Sequence, residues 1–399
     1  MYNKIKILFV SPSVSRLFTG VYEVQKNLAL EFIKKKNPIE IHGLIDDFTN
    51  QDLKSWLPIK PFLYKPFGFN KIGYNPNFLK NLNKSNADIG HIHSLWSYTT
   101  YALYIWSKKN NKPYLLSVNA YLFDSALRQS KILKNLALYL GIRKVIKHAS
   151  CIHVNTKNEY EAVRALGYTN PVSIIPNGVQ LPNLNINYPI SPWYKNSNAK
   201  NKKILLYLSR IHSQKGIQLL VDSWKELSDS MFLNDWHLVI VGFQKEKSLF
   251  ENNIIDMVTK YNLNNSITML SGQFDESMKA CYSNCSGFIL PSFNEGTSIA
   301  ALNALAFSKP TLITKGCNIT NAIDNGAAIC IETNTESIKK GILTLIKMTD
   351  SQREILGHKG RLLVEENYTW ESVSDQILEI YSWLKNERIS PMPKSLIID

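Results

Sequence analysis

Short runs of apolar residues alternate along this chain with longer stretches whose apolar positions recur every three or four residues. The first pattern predicts buried strands and the second amphipathic helices. In the first half, strands are predicted at Lys6 to Val10, Ile39 to Leu44, Ile89 to His93, Tyr114 to Val118, Cys151 to Asn155 and Val172 to Ile175. Helices are predicted over about Tyr22 to Lys36, Thr99 to Lys109, Lys131 to His148 and Lys157 to Leu166. Ser55 to Leu79, rich in Pro, Phe, Tyr and Gly, keeps neither period and reads as a long loop or irregular insertion. Pro182 to Lys202 carries Pro182, Pro189 and Pro192 among many Asn and Ser residues, and reads as a linker.

The same grammar then restarts. Strands are predicted at Lys203 to Ser209, His237 to Gly242, Ile267 to Ser271, Gly287 to Leu290 and Thr311 to Thr314. Between them lie helices at Gly216 to Leu227, Glu246 to Tyr261, Asp275 to Ser283 and Thr297 to Phe307. Alternation of this kind is the signature of an α/β fold with mostly parallel sheets. Two doubly wound, Rossmann-like domains are expected, facing across a cleft at the C-terminal ends of their strands. A last amphipathic helix, from Tyr368-Thr369-Trp370 to about Trp383, follows a finished sheet and suits packing back across the first domain. The expected boundaries are 1–185, 186–367 and 368–386.

Charge changes this picture more than bulk composition does. Residues 1–200 hold 26 Lys or Arg against 10 Asp or Glu, whereas residues 201–399 hold 20 against 22. A basic first half beside a near-neutral second half is a statement about partners. Recognition-module signatures for nucleic acid are absent, which leaves an anionic membrane surface or a phosphorylated acceptor. The apolar run at Lys6 to Val10 is too short for a signal peptide, and no stretch approaches the length of a membrane span. A cytoplasmic protein, peripheral on the inner membrane, is expected. Cys151, Cys281, Cys285, Cys317 and Cys330 suggest neither a disulfide framework nor a metal site, and His91 with His93 lacks a third ligand. Gly-x-Gly-x-x-Gly, Walker A, nucleophile-elbow and His-Glu-x-x-His sequences are all missing.

Two segments carry chemistry. After the strand ending at Ser209, the order is Arg210-Ile211-His212-Ser213-Gln214-Lys215-Gly216 and then a helix. Both cations would emerge at the C-terminal edge of a sheet beside helix-end amides, where a diphosphate can be held. Pro291-Ser292-Phe293-Asn294-Glu295-Gly296-Thr297-Ser298 precedes an Ala-rich helix. There Glu295 can accept bonds from sugar hydroxyls while the amides of 296 to 298 point toward an anion. Equally, Glu295 can serve only as a helix cap.

With Ile174-Ile175-Pro176-Asn177-Gly178-Val179, Gly242 after a strand, Ala304-x-Ala306-x-x-Lys309-Pro310 and Tyr368-x-Trp370, these elements resemble the retaining glycosyltransferases of family 4, in order and spacing over nearly the whole chain. The resemblance implies the GT-B architecture. It also implies transfer of a hexose-type sugar from a UDP- or GDP-sugar to a glycan or a polyprenyl-diphosphate-linked saccharide. Arg210, Lys215 and the amides at Gly296, Thr297 and Ser298 would meet the diphosphate, Glu295 the sugar, and the Thr19-Gly20 turn would approach the phosphates. Trp96 and Asn119 would face the acceptor. No metal or other cofactor is implied, because the leaving group itself helps to deprotonate the acceptor on the front face. Two positions depart from the family. Asn303 stands where a glutamate usually holds the ribose, and Asn119 where relatives carry histidine. A catalytically silent sugar- or nucleotide-binding partner subunit, and a nucleotide-sugar epimerase of the same shape, are the competing readings.

Overall fold

The structure is a computed structural model and describes residues 4–67, 73–119, 121–122, 141–229, 233, 235–243, 248–386 and 391–398. It divides into two compact units, Met1–Gly178 with Trp370–Asp399, and Val179–Thr369.

In the first unit the strands are β1 (Ile7–Ser11), β2 (Ile39–Leu44), β3 (Phe62–Tyr64), β4 (Ile89–Ile92), β5 (Tyr114–Ser117), β6 (Cys151–Val154) and β7 (Val172–Ile174). The order across the sheet is β14-β7-β6-β5-β4-β1-β2-β3, with β14 (Leu396–Ile397) antiparallel to β7 and every other pair parallel. Being covered on both faces, β1, β4, β5 and β6 are buried at every position. On one face the core joins α1 (Thr19–Lys34) to α14 (Trp370–Lys385), which contributes Val373, Ile377, Ile380 and Tyr381. The other face is covered by α3 (Pro76–Leu82), α4 (Tyr98–Asn110), α5 (Arg143–His148) and α6 (Lys157–Ala165). The C-terminal helix thus returns to the first unit. Gly178 marks the junction, since a methyl group there would lie 2.6 Å from the Trp370 ring.

Ser55 to Leu79 is not irregular throughout. It contains β3 and the start of α3, and its upstream flank, α2 (Thr49–Asp52) with a 3-10 turn at Leu53–Trp56, fastens to the β1–α1 turn. There the Trp56 indole donates to the Val14 carbonyl at 2.8 Å, and Asp52 receives the Arg16 guanidinium and backbone amide. The sequence period failed because β3 is a short edge strand. Of the helix expected from Lys131 to His148, residues 131–140 lie outside the described residues.

The second unit repeats the scheme with β8 (Lys203–Leu208), β9 (Trp236–Phe243), β10 (Ile267–Ser271), β11 (Gly287–Leu290), β12 (Thr311–Ile313) and β13 (Ile329–Cys330). Their order is β10-β9-β8-β11-β12-β13, all parallel. Around the sheet stand α7 (Ile217–Ser228), α8 (Leu249–Lys260), α9 (Asp275–Asn284), α10 (Ile299–Ala306), α11 (Thr320–Asp324), α12 (Thr335–Lys347) and α13 (Asp350–Asn367). The stretch expected as a linker is part of this unit. Trp193 is buried in its core, the Ser191 hydroxyl donates to the Ala280 carbonyl at 2.8 Å, and the Asn196 amide donates to Thr268 at 2.8 Å. Among the described residues no helix is long and apolar enough to cross a membrane.

Candidate functional site

At the C-terminal edge of the second sheet, the β8–α7 and β11–α10 turns are tied together by their backbones. Phe293 N–H donates to the Gln214 carbonyl at 2.8 Å, and the Ser292 hydroxyl donates to the same oxygen at 3.1 Å. Gly216 is left-handed, with φ +67°, and a methyl group there would lie 2.0 Å from the Pro291 carbonyl oxygen. Only glycine gives both the conformation and the approach. Gly242 plays the same part at the end of β9. Its φ is +139°, and a methyl group would lie 1.8 Å from the Ser209 carbonyl, so β9 turns away directly beside the residue preceding Arg210.

This lacing brings Lys215 and Glu295 into an ion pair. Lys215 Nζ lies 2.7 Å from Glu295 Oε2, with the two side chains only 15% and 11% exposed. Arg210 is exposed on the same turn. Glu295 is fixed from behind, since its amide donates to the Gly316 carbonyl at 2.9 Å and its carbonyl accepts from the Asn318 side chain at 2.6 Å. The other carboxylate oxygen, Oε1, is buried and without a hydrogen-bond partner among the described residues, as is the Thr297 hydroxyl oxygen. Burial, and after it the Glu295 charge, pushes the Cys317 thiol up to about 12 and raises the Tyr207 phenol. The carboxylate therefore sits above groups that stay neutral. Asn303 lies near enough to the Tyr282 phenol to weigh on its ionisation, although burial is the main cause there.

The cap of α10 is Ser298, not Glu295. The Ser298 hydroxyl accepts from the Ala301 amide at 3.4 Å, and its own amide donates to the Cys317 carbonyl at 3.1 Å. Of the three amides expected to face an anion, the one at Ser298 is therefore committed within the protein.

In the first unit, Gly20 lies in the first turn of α1, where the preceding Phe18 gives no side-chain cap. It is exposed, and a methyl group there would meet nothing within 4 Å. Asn119 has φ +42°, and its amide donates to the His93 carbonyl at 3.1 Å while its oxygen accepts from the Asn155 amide at 3.4 Å. The ends of β4, β5 and β6 are thereby joined by one side chain. Trp96 is half-buried against the core formed by α4 and its neighbours.

Beneath these ends runs a hydrogen-bonded chain that sequence reasoning missed. His153 Nε2 lies 2.8 Å from the Ile175 carbonyl, which can only accept, so that nitrogen carries the proton. His153 Nδ1 must then accept from Ser117 Oγ, at 2.6 Å. Ser117 in turn accepts from His91 Nε2 at 2.7 Å, and His91 Nδ1 accepts from the Tyr381 hydroxyl at 2.5 Å. One direction of donation runs from α14 through β4, β5 and β6 to the segment following β7. His91 and His93 are fully buried, and desolvation lowers both imidazoles well below their ordinary value; it lowers His153 to about 4. Only the spacing His91, His93 on an apolar strand hinted at this. Among the described residues there is no group of three His, Cys, Asp or Glu side chains able to hold a metal ion.

The sequence model of glycosyltransferase family 4 matches residues 23–182, and that of the glycosyl transferases of group 1 matches residues 193–363. Among characterised relatives, the lipopolysaccharide 1,2-N-acetylglucosaminetransferase of Salmonella typhimurium is 26% identical over 217 residues, covering 52% of this chain and 55% of that protein. A capsular polysaccharide biosynthesis glycosyltransferase, CapM of Staphylococcus aureus, is 27% identical over 189 residues, or 46% and 47% of the two chains. The chain spans about half the length of the curated relatives it matches. Among solved structures, Anabaena Alr3699/HepE in complex with UDP and glucose superposes with a TM-score of 0.72 at 16% identity, over 95% of this chain and 99% of that one. A glycosyltransferase from Rickettsia africae gives 0.72 at 19%, over 96% and 99%.

Proposed function

We propose that this chain, a GT-B-fold relative of both the glycosyl transferases of group 1 and glycosyltransferase family 4, transfers a hexose-type sugar from a nucleoside-diphosphate sugar to a hydroxyl of a glycan or lipid-linked saccharide. The observation that carries the proposal is the Lys215–Glu295 pair, with Arg210 exposed on the same turn as Lys215, at the strand ends of the second sheet. It joins a cation suited to a diphosphate and an acid suited to sugar hydroxyls in one half-buried place.

In this reading the second unit binds the donor. Arg210 and Lys215 hold the diphosphate, together with the amides of Gly296 and Thr297 and, through its N-terminal first turn, α10. The Thr297 hydroxyl, which lacks a partner among the described residues, is available to the same group. Asn303 hydrogen-bonds the ribose as a neutral amide. As the bond to the anomeric carbon lengthens, negative charge gathers on the diphosphate and the sugar becomes oxocarbenium-like. Fixed cations then stabilise the transition state more than the ground state. The acceptor attacks from the same face, its proton passing to a leaving-group oxygen, so configuration is retained and neither a metal nor an enzyme nucleophile is needed. The first unit takes the acceptor at Trp96 and Asn119. Its basic surface supports docking on anionic lipid at the cytoplasmic membrane face. UDP in the HepE structure and the envelope polysaccharides named for the two bacterial relatives support this choice of substrates.

The test is product formation by the purified protein from a panel of UDP- and GDP-sugars, with a cell-envelope lipid extract as acceptor, read by mass spectrometry. A glycosylated product is expected. Nucleotide-sugar binding without transfer to any acceptor in the extract would favour the silent partner subunit, for which the structural commitment of the Asn119 amide is the supporting observation.

A further inference from the structure

The Lys215–Glu295 ion pair has a further consequence for which ligands the second unit holds. Lys215 is the cation assigned to the diphosphate, yet it is already neutralised at 2.7 Å by a carboxylate only 11% exposed. Glu295 cannot turn elsewhere without cost. Its Oε1 is buried with no partner among the described residues, its backbone is fixed at both ends, and Tyr207, Cys317 and Tyr282, whose ionisation its charge opposes, are buried and neutral. A ligand that draws Lys215 away therefore leaves a half-buried carboxylate uncompensated.

We infer that Glu295 is a specificity-determining residue that favours a nucleoside diphosphate carrying a sugar over the bare nucleoside diphosphate, by exchanging its Lys215 partner for sugar hydroxyls. This rests on the nucleotide-sugar reading given above. A sugar-bearing ligand supplies phosphate oxygens to Lys215 and hydroxyl donors to Glu295, so both halves of the broken pair find new partners. A bare diphosphate satisfies only the lysine, and its own negative charge faces the unpaired carboxylate. After transfer, the departing nucleotide loses the compensating hydroxyls, and Glu295 recaptures Lys215. The same contact that lets the donor in thus helps the product leave.

The test is calorimetric titration of UDP, GDP and the corresponding hexose donors into wild-type protein, Glu295→Gln, Lys215→Met and the double variant. Glutamine keeps the shape and removes the charge, which protects folding. Glu295→Gln is expected to bind the bare diphosphate at least ~10-fold more tightly than wild type and to narrow its preference for the sugar-bearing ligand by a similar factor. Lys215→Met weakens both ligands, and in that background the gain from Glu295→Gln is smaller, since only the repulsion between the two negative charges is left to relieve. An unchanged or weakened affinity of Glu295→Gln for UDP and GDP overturns the inference alone. So does a gain that persists undiminished without Lys215, because the carboxylate would then act by simple repulsion. Failure of wild-type protein to bind any of the four ligands at millimolar concentration overturns the nucleotide-sugar reading, and the inference with it.

Discussion

Replacing Ser117 with alanine tests the hydrogen-bonded chain at its midpoint. The hydroxyl is the acceptor for His91 and the donor to His153, at 2.7 and 2.6 Å, and all three side chains are buried. Its removal leaves a buried N–H and a buried lone pair unmet at once. Tautomer exchange gives no escape. Moving the His153 proton to Nδ1 would strip the Ile175 carbonyl of its side-chain donor, and moving the His91 proton to Nδ1 would turn the Tyr381 hydroxyl into an acceptor and leave its hydrogen and the His91 Nε2 lone pair unmet. Each unmet buried group costs about 1–3 kcal/mol, so the expected loss is roughly 2–6 kcal/mol. That is a large part of the stability of an ordinary domain. Ser173, on β7 and in register with His153, supplies the control. It is equally buried, but its hydroxyl has no hydrogen-bond partner among the described residues, so Ser173→Ala should change stability by less than ~1 kcal/mol or raise it. Urea unfolding followed by tryptophan fluorescence reads both variants. A loss for Ser117→Ala below ~1 kcal/mol at unchanged slope, or one no greater than that for Ser173→Ala, would refute the single-direction chain.

Further outcomes follow from the same geometry. Because burial lowers the folded-state pKa of His91, His93 and His153, the last to about 4, the unfolded chain binds more protons below its ordinary histidine pKa near ~6.5. Stability should therefore be complete above that pH and fall as pH drops toward about 4, by up to ~1.4 kcal/mol per unit for each histidine; a urea midpoint that is flat or rising from pH 7 to pH 5 contradicts it. Gly242→Ala forces a methyl group against the Ser209 carbonyl at a positive φ, and a destabilisation of roughly 2–4 kcal/mol is expected, with turnover lost as the turn before Arg210 shifts. Wild-type melting temperature and rate would show that the turn tolerates the change. Arg210→Ala should cut kcat at least ~100-fold while leaving the thermal midpoint unchanged, since the residue is exposed and its role is with the leaving group. Near-normal kcat would remove it from the site.

The positions of the strands in both sheets were largely readable from the sequence. Ile39–Leu44, Ile267–Ser271 and Gly287–Leu290 were predicted to the residue, and the last, buried at every position, appears as an uninterrupted apolar run. Three-residue β3 and the segment around Trp193 were not legible. One is too short to develop a period, and the other is held by a single large side chain among polar ones. At the candidate site, the residue types at 210, 215 and 295 were visible as chemistry. Their pairing was not, because it depends on Gly216 allowing the chain to pass against Pro291. The assignment of the α10 cap to Ser298 rather than Glu295 likewise needed the backbone path, since both residue types suit a helix N-terminus. The Tyr381–His91 contact joins positions 290 apart in sequence, and local pattern carries no trace of such a distance.

Closure of the first unit by α14 also gives the protein a direction in time. While the chain emerges from the ribosome, the second unit is a single uninterrupted stretch and can fold as soon as it is out. The first unit, begun earlier, must wait with its Phe9 and Phe32 face uncovered until Tyr381 and its helix arrive, nearly two hundred residues after Gly178. The earlier-made half is therefore the later to mature. During that interval it is the half that a chaperone has reason to hold, and a nonsense codon just past Thr369 would harm the unit synthesised first.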